Sequence, residues 1–153
     1  VHLNLKQHIE LSLHSHLLIG EDVNITLNCE DDLNIESYST AWNIILEQLL
    51  ENSIVHGFQG IKSNKSIQIN VEPLGNNEWK FDYRDNGHGV TDSITERIFN
   101  PFVTTKRGSS EHAGLGLYRI YNLAHRVFGG EIKLVKCETG FHLSMTFKAV
   151  RLT

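Results

Sequence analysis

The sequence predicts an α+β domain: a two-layer sandwich in which a mixed, mostly antiparallel sheet of about five strands packs on three helices. Two observations lead there. Stretches with helical spacing of apolar residues are interspersed with stretches that alternate strictly, and the order is helix, strand, helix, two strands, long loop, helix, two strands. Both strand pairs are joined through turn-forming residues, which makes each pair an antiparallel hairpin. With 153 residues, the chain is the size of one domain and can bury a proper core.

Each element has its own signature. In LNLKQHIELSLHSHLL (3–18), Leu3, Leu5, Ile9, Leu13 and Leu17 recur close to helical spacing. VNITLNCE (23–30) places Val23, Ile25, Leu27 and Cys29 at period two, a strand. YSTAWNIILEQLLENSIVHGF (38–58) is the strongest helix, with Ser39 or Thr40 as a cap and Gly57 as a stop. SIQINVE and EWKFDYRD alternate on either side of PLGNN, a hairpin. Residues 91–113 show no clean periodicity, and a loop that long in a compact domain is usually a functional lid or disordered. GLGLYRIYNLAHRVFGG opens with glycines and runs helically, and EIKLVK and FHLSMTFKAV form a second hairpin across CETG.

Composition narrows the function classes. The chain is 40% apolar and 21% charged, ordinary for a globular protein. A net charge of −4 with no long basic run argues against a nucleic-acid surface. Cys29 and Cys137 are far apart and match no metal spacing, which fits a reducing compartment. No apolar run approaches the roughly 18 residues that span a bilayer. The chain opens on Val1 and is read as part of a longer protein.

Polar residues on apolar faces locate a site. On the helix 39–57, Gln48, Asn52 and His56 fall on the stripe marked by Ala41, Ile45 and Leu49, while Asn43, Glu47 and Glu51 face water. Buried polar groups need partners, and three in line build a polar strip. Trp79, Phe81, Tyr83 and Asp85 share one face of their strand, so a carboxylate stands in line with core residues. It stays charged only if something donates to it. An Asp-Asn-Gly also serves in a simple turn, and both readings stand at this point. A calcium loop ending at Gly87 fails, because Arg84 and Ser93 would fall at ligand positions. In AGLGLY (113–118), glycines at a helix start let backbone N–H groups approach an anion; a flexible hinge would look the same. Lys106 and Arg107 in the preceding PFVTTKRG could close over phosphates or be a solvated pair.

Together these segments resemble the ATP-binding catalytic domain of sensor histidine kinases, of the GHKL or Bergerat-fold superfamily. LLENSIVHGF looks like the N box, DNGHG the first glycine box, IFNPFVTTK the F box and GLGL the second glycine box, in family order over roughly residues 38–136. The resemblance implies a Bergerat fold, with ATP and Mg²⁺ as ligands. Asn52 would hold Mg²⁺, and Asp85 would accept from the exocyclic amine of adenine. Gly87, Gly89 and Val90 would pass close to the nucleotide, and Gly114, Leu115, Gly116 and Leu117 would wrap the phosphates. Phe102 would anchor a lid of about 91–113, with Thr104 and Thr105 beside the nucleotide. Lys106 and Arg107 would face the terminal phosphate, with His56 nearby.

Three positions depart from the family pattern. Gln48 stands where histidine kinases usually have Asn and hydrolysing relatives have Glu, and a glutamine is a poor general base. Val55 replaces a frequent Lys, and His112 replaces the leading glycine of the second box. Gln48, Asn52 and Lys106 are the expected catalytic group. No phosphoacceptor segment is evident, so the resemblance implies an upstream dimerisation domain carrying the acceptor histidine. It further implies a response-regulator receiver domain as partner, a homodimeric full-length protein, and a cytoplasmic placement within a membrane-bound sensor. This domain itself would touch neither nucleic acid nor membrane. Two rivals are a stand-alone serine kinase of the anti-sigma-factor type and a degenerate nucleotide-sensing module.

Overall fold

The computed structural model describes residues 1–16, 22–89 and 109–152, with side chains from 116 onward in the last segment. The elements are β1 (His2–Asn4), α1 (Leu5–His16), β2 (Val23–Asn28), β3 (Asn34–Glu36), α2 (Ser39–Glu51) continued by a π-helical turn (Asn52–Gly57), β4 (Lys65–Gly75), β5 (Glu78–Asp85), α3 (Ser109–Arg126), β6 (Ile132–Leu134) and β7 (Phe141–Lys148).

Five strands form one sheet in the order β2-β4-β5-β7-β6; β2 and β4 run parallel and the other neighbours antiparallel. The single parallel pair follows from connectivity: α2 lies between β2 and β4 in the chain, and a parallel pair needs such a crossover. The β4–β5 hairpin closes through Asn76 and Asn77, both at positive φ (54° and 60°), the two-residue turn that matches strand twist. The predicted two-layer α+β sandwich is therefore the observed one.

The core lies between the sheet and the helices. Trp42 of α2 is fully buried, packs on Phe81, Phe128 and Phe147 at centroid distances of 5.4, 4.9 and 5.0 Å, and gives its indole N–H to Ser37 Oγ at 3.0 Å. Helix α1 packs against α2, and α2 against α3.

Four local expectations are corrected. The first helix starts at Leu5, because residues 2–4 pair with β3 in a two-stranded ribbon (His2 with Glu36, Leu3 with Ile35). Helix α2 is capped by neither Ser39 nor Thr40: Tyr38 occupies the cap position and makes no side-chain capping bond. Strand β4 runs on to Gly75, through the stretch expected to be turn, with an irregularity between Pro73 and Gly75 that absorbs the proline. Helix α3 begins at Ser109, ahead of the glycines; Ser109 and Ser110 are residue types that favour a helix start.

Candidate functional site

The site lies where the end of α2 meets the end of β5. Asp85, the last residue of β5, is 7% exposed, and Trp79, Phe81 and Tyr83 on the same face are buried, as the strand parity requires. Its carboxyl has donors on both oxygens. Ser53 Oγ donates to Oδ2 at 2.6 Å, and the backbone N–H of Gly87 donates to Oδ1 at 2.9 Å. Burial pushes the carboxyl above the usual carboxylate range, while Ser53 and the backbone amides of Gly87 and Phe141 pull it back. Behind Ser53, the Tyr83 hydroxyl lies 2.7 Å from Ser53 Oγ and donates to the Leu49 carbonyl at 3.2 Å. Burial raises the Tyr83 hydroxyl far above its ordinary value, so it remains a protonated donor.

The polar strip of α2 is real. Asn52 is 7% exposed, and Gln48 and His56 are half-buried. The Oδ1 atom of Asn52 is buried and has no hydrogen-bond partner among the described residues. An orphaned buried carbonyl oxygen costs free energy, so it marks a place made for a ligand or ion. The residues therefore fit Mg²⁺. A single neutral oxygen suits an ion that keeps several waters and takes phosphate oxygens as its other ligands. The turn from Asn52 to Gly57 is π-helical, a local widening often found at functional sites.

The chain beyond Asp85 folds back on this turn. The N–H of His88 donates to the Gly57 carbonyl at 2.7 Å, and a Cβ on Gly87 would overlap that same carbonyl. Gly89 adopts φ 81°, and a Cβ there would sit 2.5 Å from the Gly140 carbonyl. Both glycines of DNGHG are thus required by close backbone approach. A Cβ on Gly116 would lie 2.5 Å from Gln48 Oε1, so the second glycine box faces the first position of the N box.

The expected residues sort as follows. Asn52, Asp85 and Gly87 come together at Gly57, whose Cβ would lie 3.2 Å from Asp85 Oδ2 and 3.6 Å from the Asn52 carbonyl, and Gly116 is set against Gln48. His56 lies in the same π-helical turn as Asn52, and Gly89 approaches Gly140. Gly114, Leu115, Gly116 and Leu117 lie within α3 rather than at its start, and the Leu117 side chain is in the core at 1% exposure. Val90, Phe102, Thr104, Thr105, Lys106 and Arg107 lie outside the described residues, as does most of the expected lid. Ser53, fully buried and bonded to Asp85, is a further site residue that the sequence expectations do not include. It sits four residues after Leu49, on the buried stripe, which was the available signal.

Comparison with known proteins gives the family and the fold. The profile of the histidine kinase-, DNA gyrase B- and HSP90-like ATPase family matches residues 39–151, and the chain belongs to that family. Among individual relatives, it is similar to the signal transduction histidine-protein kinase AtoS of Escherichia coli K12, 33% identical over 93 residues, covering 59% of this chain and 14% of that one. It is also similar to the sensor histidine kinase YpdA of the same strain, 24% identical over 127 residues, covering 82% of this chain and 20% of that one. The chain thus spans a fifth or less of the length of these two relatives. In fold it is similar to the nucleotide-free catalytic domain of histidine kinase ThkA (TM-score 0.75, 22% identity, covering 97% of this chain and 94% of that one). The mycobacterial sensor histidine kinase MprB is similar to the same degree (TM-score 0.75, 12% identity, covering 99% and 100%).

Proposed function

We propose that this domain binds Mg·ATP and delivers the γ-phosphate to a histidine on a dimerisation domain, as the catalytic part of a sensor histidine kinase in two-component signalling. One observation carries the reading: the 2.6 Å bond from Ser53 to Asp85 fastens the helix bearing Asn52 to the strand end bearing the carboxylate. The base-reading group and the metal-holding group are thereby fixed relative to each other. Asp85 accepts from the adenine amine, a further donor beside Ser53 and the Gly87 N–H that favours the charged carboxylate. Asn52 Oδ1 holds Mg²⁺, whose charge offsets that of the phosphate oxygens.

The chemistry asked of this chain is positioning. The acceptor imidazole nitrogen forms the new N–P bond while the bond from the γ-phosphorus to the bridging oxygen breaks, and ADP leaves. Gln48 can orient but is a poor proton acceptor, which favours transfer over hydrolysis. The aspartyl phosphoacceptor of a response regulator is the next recipient; ThkA has been solved in complex with a response regulator, TrrA. The described residues include no helix long and apolar enough to cross a membrane. The full protein in this reading is a membrane-bound homodimer with this domain on the cytoplasmic side.

The test is a thermal melt with and without Mg·ATP on wild type and Asp85→Asn, followed by transfer to an added acceptor domain. A ligand at 100 times its Kd stabilises by about 2.7 kcal/mol. A shift in wild type that vanishes in the variant, with phosphohistidine formed on the acceptor, is expected. No shift at saturating nucleotide would overturn the reading, and phosphoserine in place of phosphohistidine would redirect it to a serine kinase.

A further inference from the structure

The oxygens behind Asp85 form an unbroken line: Asp85 Oδ2 to Ser53 Oγ at 2.6 Å, Ser53 Oγ to Tyr83 OH at 2.7 Å, and Tyr83 OH to the Leu49 carbonyl at 3.2 Å. Ser53 and Tyr83 are both fully buried, so bulk water does not reach either hydroxyl. These three contacts share two hydroxyl protons. When Asp85 is ionised, Ser53 donates to it and Tyr83 donates to either Ser53 or Leu49. When Asp85 carries a proton on Oδ2, the line runs the other way, Asp85 to Ser53 to Tyr83 to Leu49, and every contact is filled. In neither of these two states does an O–H on Oδ2 point outward. Oδ1 accepts from the Gly87 N–H, which favours Oδ2 as the place for the proton.

Resting on the nucleotide-binding reading above, we infer that Ser53 is a specificity-determining positioning residue: backed by Tyr83, it commits Oδ2 of Asp85 inward, so that a purine base meets the carboxyl only as an acceptor. The consequence is selection for a purine with a 6-amino group. Without the serine hydroxyl, a protonated Asp85 is free to turn its O–H toward ring nitrogen N1, which ATP and an amine-free purine nucleotide both present as an acceptor. The distinction between the two would then fade.

The experiment is competition binding of Mg·ATP against Mg·purine riboside triphosphate, which lacks only the 6-amino group. Wild type, Ser53→Ala and Ser53→Cys are compared, with melts to verify folding. Cysteine nearly preserves the volume and donates weakly, so it serves if alanine does not fold. Wild type should prefer ATP, and the preference should fall about tenfold in the variants, the worth of one charge-assisted hydrogen bond. General damage to the site lowers both affinities together and leaves their ratio unchanged; an unchanged ratio in both variants overturns the role of Ser53. Equal affinity of wild type for the two nucleotides overturns the adenine reading itself, whatever the variants do.

Discussion

The backbone N–H of His88 donates to the carbonyl of Gly57 at 2.7 Å, and Gly87 lies flat against that carbonyl with no room for a methyl group. This contact joins the end of α2 to the loop after β5, and Asp85 is enclosed between them. The obstructing atom is backbone, so it cannot step aside. Gly87→Ala should cost roughly 1–3 kcal/mol, the range for overpacking, and should abolish nucleotide binding. A chemical denaturation curve together with a nucleotide titration measures both. Gly57→Ala should be milder, because its Cβ would meet the Asp85 carboxylate at 3.2 Å.

Asp85 should oppose stability at neutral pH. Burial raises its carboxyl in the folded state, so the folded protein holds that proton more tightly than the unfolded chain does. The contribution to stability is full below the unfolded value of about 4 and is lost as pH rises through the raised folded value. Asparagine is neutral throughout, and its amide can accept from Gly87 and donate to Ser53. Asp85→Asn without nucleotide should melt a few degrees above wild type at pH 7, with the gap closing toward pH 4, while Mg·ATP no longer shifts it. Melts across this pH range would reveal the opposite sign if burial were not the governing cost.

Gln48 and Gly116 should be coupled. Alanine in place of glycine within a helix gains about 1 kcal/mol from propensity alone. In wild type that gain is offset, because the new methyl meets Gln48 Oε1 at 2.5 Å and the side chain must swing away. Gly116→Ala should therefore be near neutral in wild type and stabilising by about 1 kcal/mol in a Gln48→Ala background. A double-mutant cycle by denaturant melt gives the coupling energy, and additivity would separate the two positions.

The two cysteines should label in sequence. Cys137 is exposed, whereas Cys29 is half-buried and its thiol is pushed up to about 11, mainly by burial. At pH 8 roughly one part in a thousand of Cys29 is thiolate, the reactive form. A thiol reagent followed by mass spectrometry should find Cys137 modified first and Cys29 far behind, the lag shrinking as pH nears 11.

What could be read from the sequence was what repeats. Period two in 78–85 placed Asp85 among core residues, and helical spacing placed Asn52 inward; both stand in the structure. Features shorter than a period were hidden. Strands β1 and β3 have three residues each and are held by pairing across the chain (Leu3 with Ile35), for which no local pattern exists. Asp82, between two core positions of the same strand, is also buried at 6% exposure, because His142 on the adjacent strand covers it and bonds it at 2.7 Å. The Ser53 hydroxyl is small enough to pass for a core position in the sequence, and its role comes from Asp85, 32 residues away. The π-helical turn changes the winding at Asn52, so straight-helix spacing ceases to apply there.

The Asn76–Asn77 turn sits at the opposite end of β5 from Asp85. Eight residue steps from Asn77 to Asp85, at about 3.3 Å each, separate them by roughly 26 Å. Both asparagines are exposed, and their side chains have no part in the carboxylate's hydrogen bonds. A fluorophore or surface tether fixed there would report on the domain from outside, leaving the nucleotide end undisturbed.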